Sequence, residues 1–142
     1  MCDMFRFPRA TSRRRPDPAV GSLLAGAMAG GIRDIYGHTV TYVPEDLEFV
    51  ERLFVDLRTE DGFVGDEFTV QSLGCLIGEI LVRTDGGHWS AARRRGARAD
   101  DAGLEVVLPN GRSVDPIRAA HECADHGADS SVIRFRQLAL AS

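Results

Sequence analysis

Apolar residues recur at helical spacing in several stretches of the chain and alternate in others. Val20, Leu23, Leu24, Ala27, Met28 and Ile35 share one arc at about 100° per residue, which predicts a helix. Asp17 and Pro18 read as its N-cap and first helical residue, where the missing proline N–H does no harm. Gly21, Gly26, Gly30 and Gly31 weaken this helix by up to about 1 kcal/mol each relative to alanine. Either another element packs closely against it, or it breaks near Gly30 and Gly31. Residues 38–43 are β-rich and alternate, which predicts a short strand ended by Pro44. A second helix is expected at about 45–59, with Leu47, Val50, Leu53, Phe54 and Leu57 as its apolar stripe, stopped by Asp61 and Gly62.

The stretch 66–85 carries the most information. Val70, Leu73, Leu76, Ile77, Ile80 and Leu81 fill one face, Gly74, Cys75 and Gly78 form a strip of small residues beside it, and Ser72, Glu79 and Arg83 leave only a narrow polar edge. A helix apolar or small over most of its circumference is buried on more than one side, so this is the expected central helix. Gly86 is a natural left-handed residue to end it.

Residues 88–92 predict a strand entering an irregular loop, 93–102. Residues 104–108 predict the clearest strand, and Ser113 and Val114 its hairpin partner. Between them Pro109, Asn110, Gly111 and Arg112 read as a tight turn, since Asn-Gly tolerates positive φ at both central positions. Asp115 and Pro116 start a helix over 116–126 closed by Gly127. Asp129 and Ser130 cap a last helix carrying Val132, Ile133, Phe135 and Leu138. The expected fold class is α+β: about five helices packed on a small antiparallel sheet of three to four strands. Residues 1–16 are charged, proline-bearing and without period, and read as a flexible basic tail before a single domain at 17–142.

The order of elements then resembles a known group. The run Leu73-Gly74-Cys75-Leu76-Ile77-Gly78-Glu79-Ile80-Leu81-Val82-Arg83 leads through Gly87-His88-Trp89 to Val107-Leu108-Pro109-Asn110-Gly111-Arg112-Ser113-Val114-Asp115. This is similar to a family of small uncharacterised bacterial proteins with a helix, a Gly-x-Trp strand, a Gly-Arg hairpin and terminal helices. The likeness spans roughly residues 40–140. It implies a fold and no reaction, because a fold alone does not set function.

Composition narrows the chemistry. All 17 basic residues are arginine, so no Schiff-base lysine, P-loop lysine or Ser-Lys dyad exists in the 142 residues. The arginine bias also points to a GC-rich genome. The net charge is −4, but residues 1–18 hold five arginines against two aspartates, leaving an acidic body. Arg13, Arg14 and Arg15 ahead of the small apolar run 19–31 faintly resemble a twin-arginine export signal. Pro16, Asp17 and Pro18 stand where such a signal wants apolar residues, so a domain helix is the better reading. Three cysteines without a CxxC pair give no disulfide framework and favour a reducing cytoplasm. No stretch reaches the ~18 apolar residues of a membrane span.

Candidate chemistry is sparse. His121, Cys123 and His126 invite a metal reading, but His121 and Cys123 point about 200° apart on a helix, whereas ligands sharing a face need i, i+3 or i+4 spacing. Two exposed histidines and a packed cysteine are expected, and neither metal nor cofactor. Cys75 beside two glycines reads as inert packing rather than a nucleophile. Glu79 and Arg83 are spaced for an i, i+4 ion pair on the surface. The pair becomes a binding site only if Trp89 or Arg112 converges on Glu79. Arg93, Arg94, Arg95 and Arg98 follow Trp89 and form a basic cluster of the kind that grips nucleic acid, though Asp100 and Asp101 come at once. The sequence therefore points to a non-enzymatic cytoplasmic domain working through protein–protein contact, as an accessory or immunity-type protein. Glu79, Trp89, Arg93, Arg94, Arg95 and Arg112 are its candidate binding residues, with no catalytic residue. A nucleic-acid-associated protein using 13–15 and 93–98, and an enzyme with an unrecognised site, are the alternatives.

Overall fold

A computed structural model describes residues 17–59, 62–92, 103–127 and 130–141. The predicted tail at 1–16, the loop 93–102 and Asp129 lie outside the described residues. The chain runs α1 (Ala19–Tyr36), α2 (Glu45–Asp56), β1 (Arg58–Thr59), β2 (Gly62–Phe63), α3 (Glu67–Asp85), β3 (His88–Ala91), β4 (Leu104–Val107), β5 (Ser113–Val114), α4 (Pro116–His126) and α5 (Val132–Leu140). Sheet order is β3-β4-β5, antiparallel throughout, with Trp89 opposite Val106 and Val106 opposite Val114. The fold is α+β: five helices around a small three-stranded antiparallel sheet, with a two-stranded β1–β2 ribbon, among the described residues.

α3 is the central helix. Asp66 starts it by accepting from the Thr69 N–H at 2.7 Å, and Gly86 ends it with φ 77°. Its apolar face meets Ile32, Leu47, Val50, Phe54, Ala120 and Val132, so one cluster draws on all five helices. Its small face admits α4 and β3. A Cβ on Gly74 would stand 2.6 Å from the Cα of Ile117, and one on Gly78 would overlap the Trp89 ring. The small strip is thus a contact surface cut to backbone distance.

Several sequence expectations need correction. Residues 38–43 form no strand. The Asp46 carboxylate, buried in the first turn of α2, accepts the backbone N–H groups of Thr41 and Val43 at 3.0 and 3.1 Å, and His38 Nε2 lies 3.0 Å from it. Those donors serve a side chain instead of a ladder, which is how aspartate competes with regular structure. Tyr42 there takes φ 61°, a left-handed conformation that no strand contains. α2 ends at Asp56 rather than 59, because Arg58 and Thr59 pair with Phe63 and Gly62. The tight turn has positive φ at Gly111 only. Asn110 instead spends its side chain, accepting from the Arg112 N–H and donating to the Ala139 carbonyl. Ser131, not Ser130, caps α5 by accepting from the Arg134 N–H.

The largest correction concerns α1. It runs unbroken for 18 residues, and its buried side is Gly21, Ala25 and Ile32, with Leu24 and Met28 half-buried. Val20, Leu23 and Ile35, expected on the packed arc, face outward. Both sides of this helix are apolar, so periodicity alone does not choose between them, and the smaller side wins because it fits against Trp89.

Glycine-to-alanine changes should separate the two kinds of glycine. Gly74→Ala forces the α4 backbone away and should cost about 1–3 kcal/mol. Gly26→Ala meets nothing and, in dilute solution, should gain about 0.5–1 kcal/mol. Urea unfolding of both variants checks the pair of signs.

Candidate functional site

One polar cluster joins elements distant in sequence. Glu79 projects from α3 where α1 and β3 meet, and it is 4% exposed. Ser22 Oγ donates to its Oε1 at 2.8 Å and Trp89 Nε1 donates to the same oxygen at 2.9 Å. Arg83 Nε donates to Oε2 at 2.8 Å. The neighbours in sequence explain the convergence. Gly21, next to Ser22, and Gly78, next to Glu79, leave room for the Trp89 ring, since a Cβ at either would overlap it. Clamped between the two helices, the half-buried indole delivers its single N–H to the carboxylate.

Arg83 lies mostly in solvent and carries the cluster outward. Its guanidinium carbon sits 3.9 Å from the centre of the Tyr42 ring. Thr84 Oγ1 donates to the Tyr42 carbonyl at 2.7 Å. A left-handed tyrosine costs about 1–2 kcal/mol, and these two contacts from one turn of α3 hold it there.

The electrostatics follow from the contacts. Burial pushes the Glu79 carboxyl up, but hydrogen bonds from Trp89, Arg83 and Ser22 and the Arg83 charge outweigh it, leaving the pKa below the ordinary value. Glu79 is therefore ionised at neutral pH with both oxygens engaged. It holds no proton to donate, and its basicity is spent on its partners. The arrangement is a clasp between helices, and Glu79 and Arg83 form a pair sunk at its acidic end rather than on the surface.

The other expected residues are placed as follows. Trp89 converges on Glu79 and Arg112 does not. Arg112 Nη1 donates to the Leu138 carbonyl at 2.7 Å, closing the C-terminal turn of α5 from the β4–β5 hairpin. Arg93, Arg94 and Arg95 lie outside the described residues. His121 is buried, not exposed, because it shares the inner face of α4 with Ile117, Ala120 and Ala124, while His126 is exposed. Among the described residues no group of three or more His, Cys, Asp or Glu could hold a metal ion, and no helix is long and apolar enough to cross a membrane. Cys75 is fully buried; burial, and then the charge of Glu79, push its thiol up to about 12. Burial raises the Cys123 thiol to about 11.

Sequence reasoning missed three side chains that organise the surface. Asp46 gathers the 38–43 segment. Arg136 grips Asp85 through Nε at 2.9 Å and Nη2 at 2.8 Å, tying α5 to the end of α3. Arg58 donates to the Ala124 carbonyl at 2.6 Å at the end of α4. Only Asp46 left a readable trace, an acid in the first turn after a proline. No protein-family model, curated protein or solved structure matches the chain.

Two predictions test the cluster. Glu79→Gln removes the ionic partner of Arg83 and should cost about 1.5–3 kcal/mol at neutral pH. A carboxylate with a lowered folded pKa stabilises above its unfolded pKa of ~4.3 and loses that contribution as pH falls through the folded value. The gap between parent and variant should thus be full at neutral pH and close in acid, as followed by chemical denaturation across pH. The second concerns the thiols: at pH 8, Cys75 and Cys123 should resist a thiol reagent until denaturant is added, and both should label afterwards.

Proposed function

We propose that this chain is a non-enzymatic interaction domain that works through protein–protein contact, in an accessory role, and that it makes contact through the outer side of α1. The observation that carries this reading is the chemistry of that side. No charged residue occurs from Ala19 to Ile32, although half of the helix surface faces water. Leu23 is 70% and Ile35 75% exposed, with Val20 and Tyr36 also open. Between them Gly26, Gly30 and Gly31 have nothing within 4 Å of where a Cβ would be. Gly21 has an internal reason in Trp89, and these three have none among the described residues. Only Arg33 and Asp34, in its last turn, carry charge; a helix whose other turns are apolar or small all round is expected to be covered there, and an exposed apolar patch on a folded protein marks a contact site. The buried titratable groups support the same reading from the other direction. Glu79 is consumed by its clasp, and the two buried thiols are held far from the thiolate form.

A photo-reactive residue placed at Leu23 or Ile35 in the native host should yield a covalent protein adduct of one defined mass. The same residue at Glu122, exposed on α4, should not. Absence of any adduct at both α1 positions, with the protein folded and expressed, would overturn the reading.

A further inference from the structure

We infer that residues 37–43 form a strap that opens and closes as one unit over an apolar flank of the core. The inference does not depend on the outer side of α1 binding anything. From His38 to Tyr42 no backbone group bonds another backbone group among the described residues. That span, between α1 and α2, is held down by side chains. Asp46 supplies most of the hold: its Oδ1 meets His38 Nε2, and its Oδ2 accepts from the Thr41 and Val43 N–H groups. Thr84 donates to the Tyr42 carbonyl, and the Arg83 guanidinium covers the Tyr42 ring. His38 lies flat on Phe49, with ring centres 4.1 Å apart and planes 7° from parallel. Beneath these contacts Val40 and Tyr42 pack on the core cluster that includes Ile32, Val50 and Ile80.

The hold is shared, which makes it all-or-none. One carboxylate takes donors spread from His38 to Val43, so lifting any of them disturbs the geometry of the others. The closed form also carries strain. Tyr42 has φ 61°, left-handed for a bulky residue, and Thr84 and Arg83 hold it there. Opening relieves that strain, so the closing contacts work against a built-in load. The ends suit a hinge: Gly37, at φ 70°, tolerates a change of direction, and Pro44 starts the next helix. Opening uncovers the face of Phe49 under His38 and the seat of Val40 and Tyr42. That surface lies beside Tyr36, which meets Phe49 edge-on. Arg83 joins the strap to the clasp, since its Nε donates to Glu79 while its face lies on Tyr42. The fold therefore contains a covered apolar face and a single latched element that covers it.

Amide hydrogen exchange of the full chain, followed residue by residue in sub-denaturing urea, tests the strap. Thr41 and Val43 should be protected roughly a hundredfold less than Ile77 and Ile80 of the buried α3, through an opening short of global unfolding. Their exchange should also speed up with urea, because the opening exposes apolar surface. Two variants act from opposite ends. Thr84→Val removes the donor to Tyr42, and His38→Phe keeps a ring on Phe49 while losing the bond to Asp46. Each should raise the exchange of Thr41 and Val43 by about threefold or more, and by one common factor. Protection of Thr41 and Val43 equal to that of Ile77, or exchange independent of urea, would overturn the inference. So would a change confined to Thr41 in His38→Phe and to Val43 in Thr84→Val, which is separate fraying at two ends, or no change at either amide in either variant.

Discussion

The indole of Trp89 fixes the distance between two helices, and the remaining contacts follow from it. It lies where Gly21 of α1 and Gly78 of α3 lack side chains, so both backbones close on the ring. From that position it touches the cluster of Ala25, Cys75, Leu104 and Ile117 and the cluster of Leu81, Val106, Leu108 and Ala139. One side chain thus couples the helical layer to the sheet. Its N–H also decides the fate of Glu79. A carboxylate at this depth would be costly alone, and it is tolerated because three donors from α1, α3 and β3 arrive together.

The ends of the helices obey a second constraint: each needs partners for its terminal backbone groups. Asp66, Asp115 and Ser131 cap their own N-termini locally. At the C-termini, Gly37, Gly86 and Gly127 close α1, α3 and α4 locally, and the ends of α4 and α5 are also served from a distance. Arg58 reaches the end of α4, Asn110 and Arg112 reach the end of α5, and the 38–43 segment hangs on Asp46 of α2. Arginine suits this work, since its planar fork reaches past a neighbour and still donates in a fixed direction. In a chain whose 17 Lys-or-Arg positions are all arginine, the same cation closes helices at Arg58 and Arg112 and meets carboxylates at Arg83 and Arg136.

Much of this was legible in the amino-acid order where one residue type admits one explanation. The small strip of α3, the glycine after it, the proline opening α4 and the alternating β4 each left a local signature, and their elements stand within a residue or two of expectation. The failures share a cause: the deciding partner is far away in sequence. The β-rich look of 38–43 was real, but Asp46 offered its N–H groups a better acceptor. The arc of α1 was real, but two apolar sides competed, and only the Trp89 ring distinguishes them. The spacing of Glu79 and Arg83 gave the pair but not its depth, because depth comes from Ser22 and Trp89 on other elements. Gly78 beside Glu79 and Gly87 near Trp89 were the available hint, a place where something bulky must come close.

The distance between α1 and its clamp also has a meaning in time. Ser22 and Glu79 are 57 residues apart in sequence. At ~5–20 residues per second, a chain emerging from the ribosome carries this largely apolar helix for about 3–11 s before the other half of the clasp exists, and longer before the Trp89 ring follows. During that interval both apolar sides of α1 are open, not one. The glycines that make the helix fit its neighbours also keep it a weak helix alone, which postpones its formation until α3 is there to receive it. The residues that look like flaws in α1 thereby shorten the life of its most adhesive form.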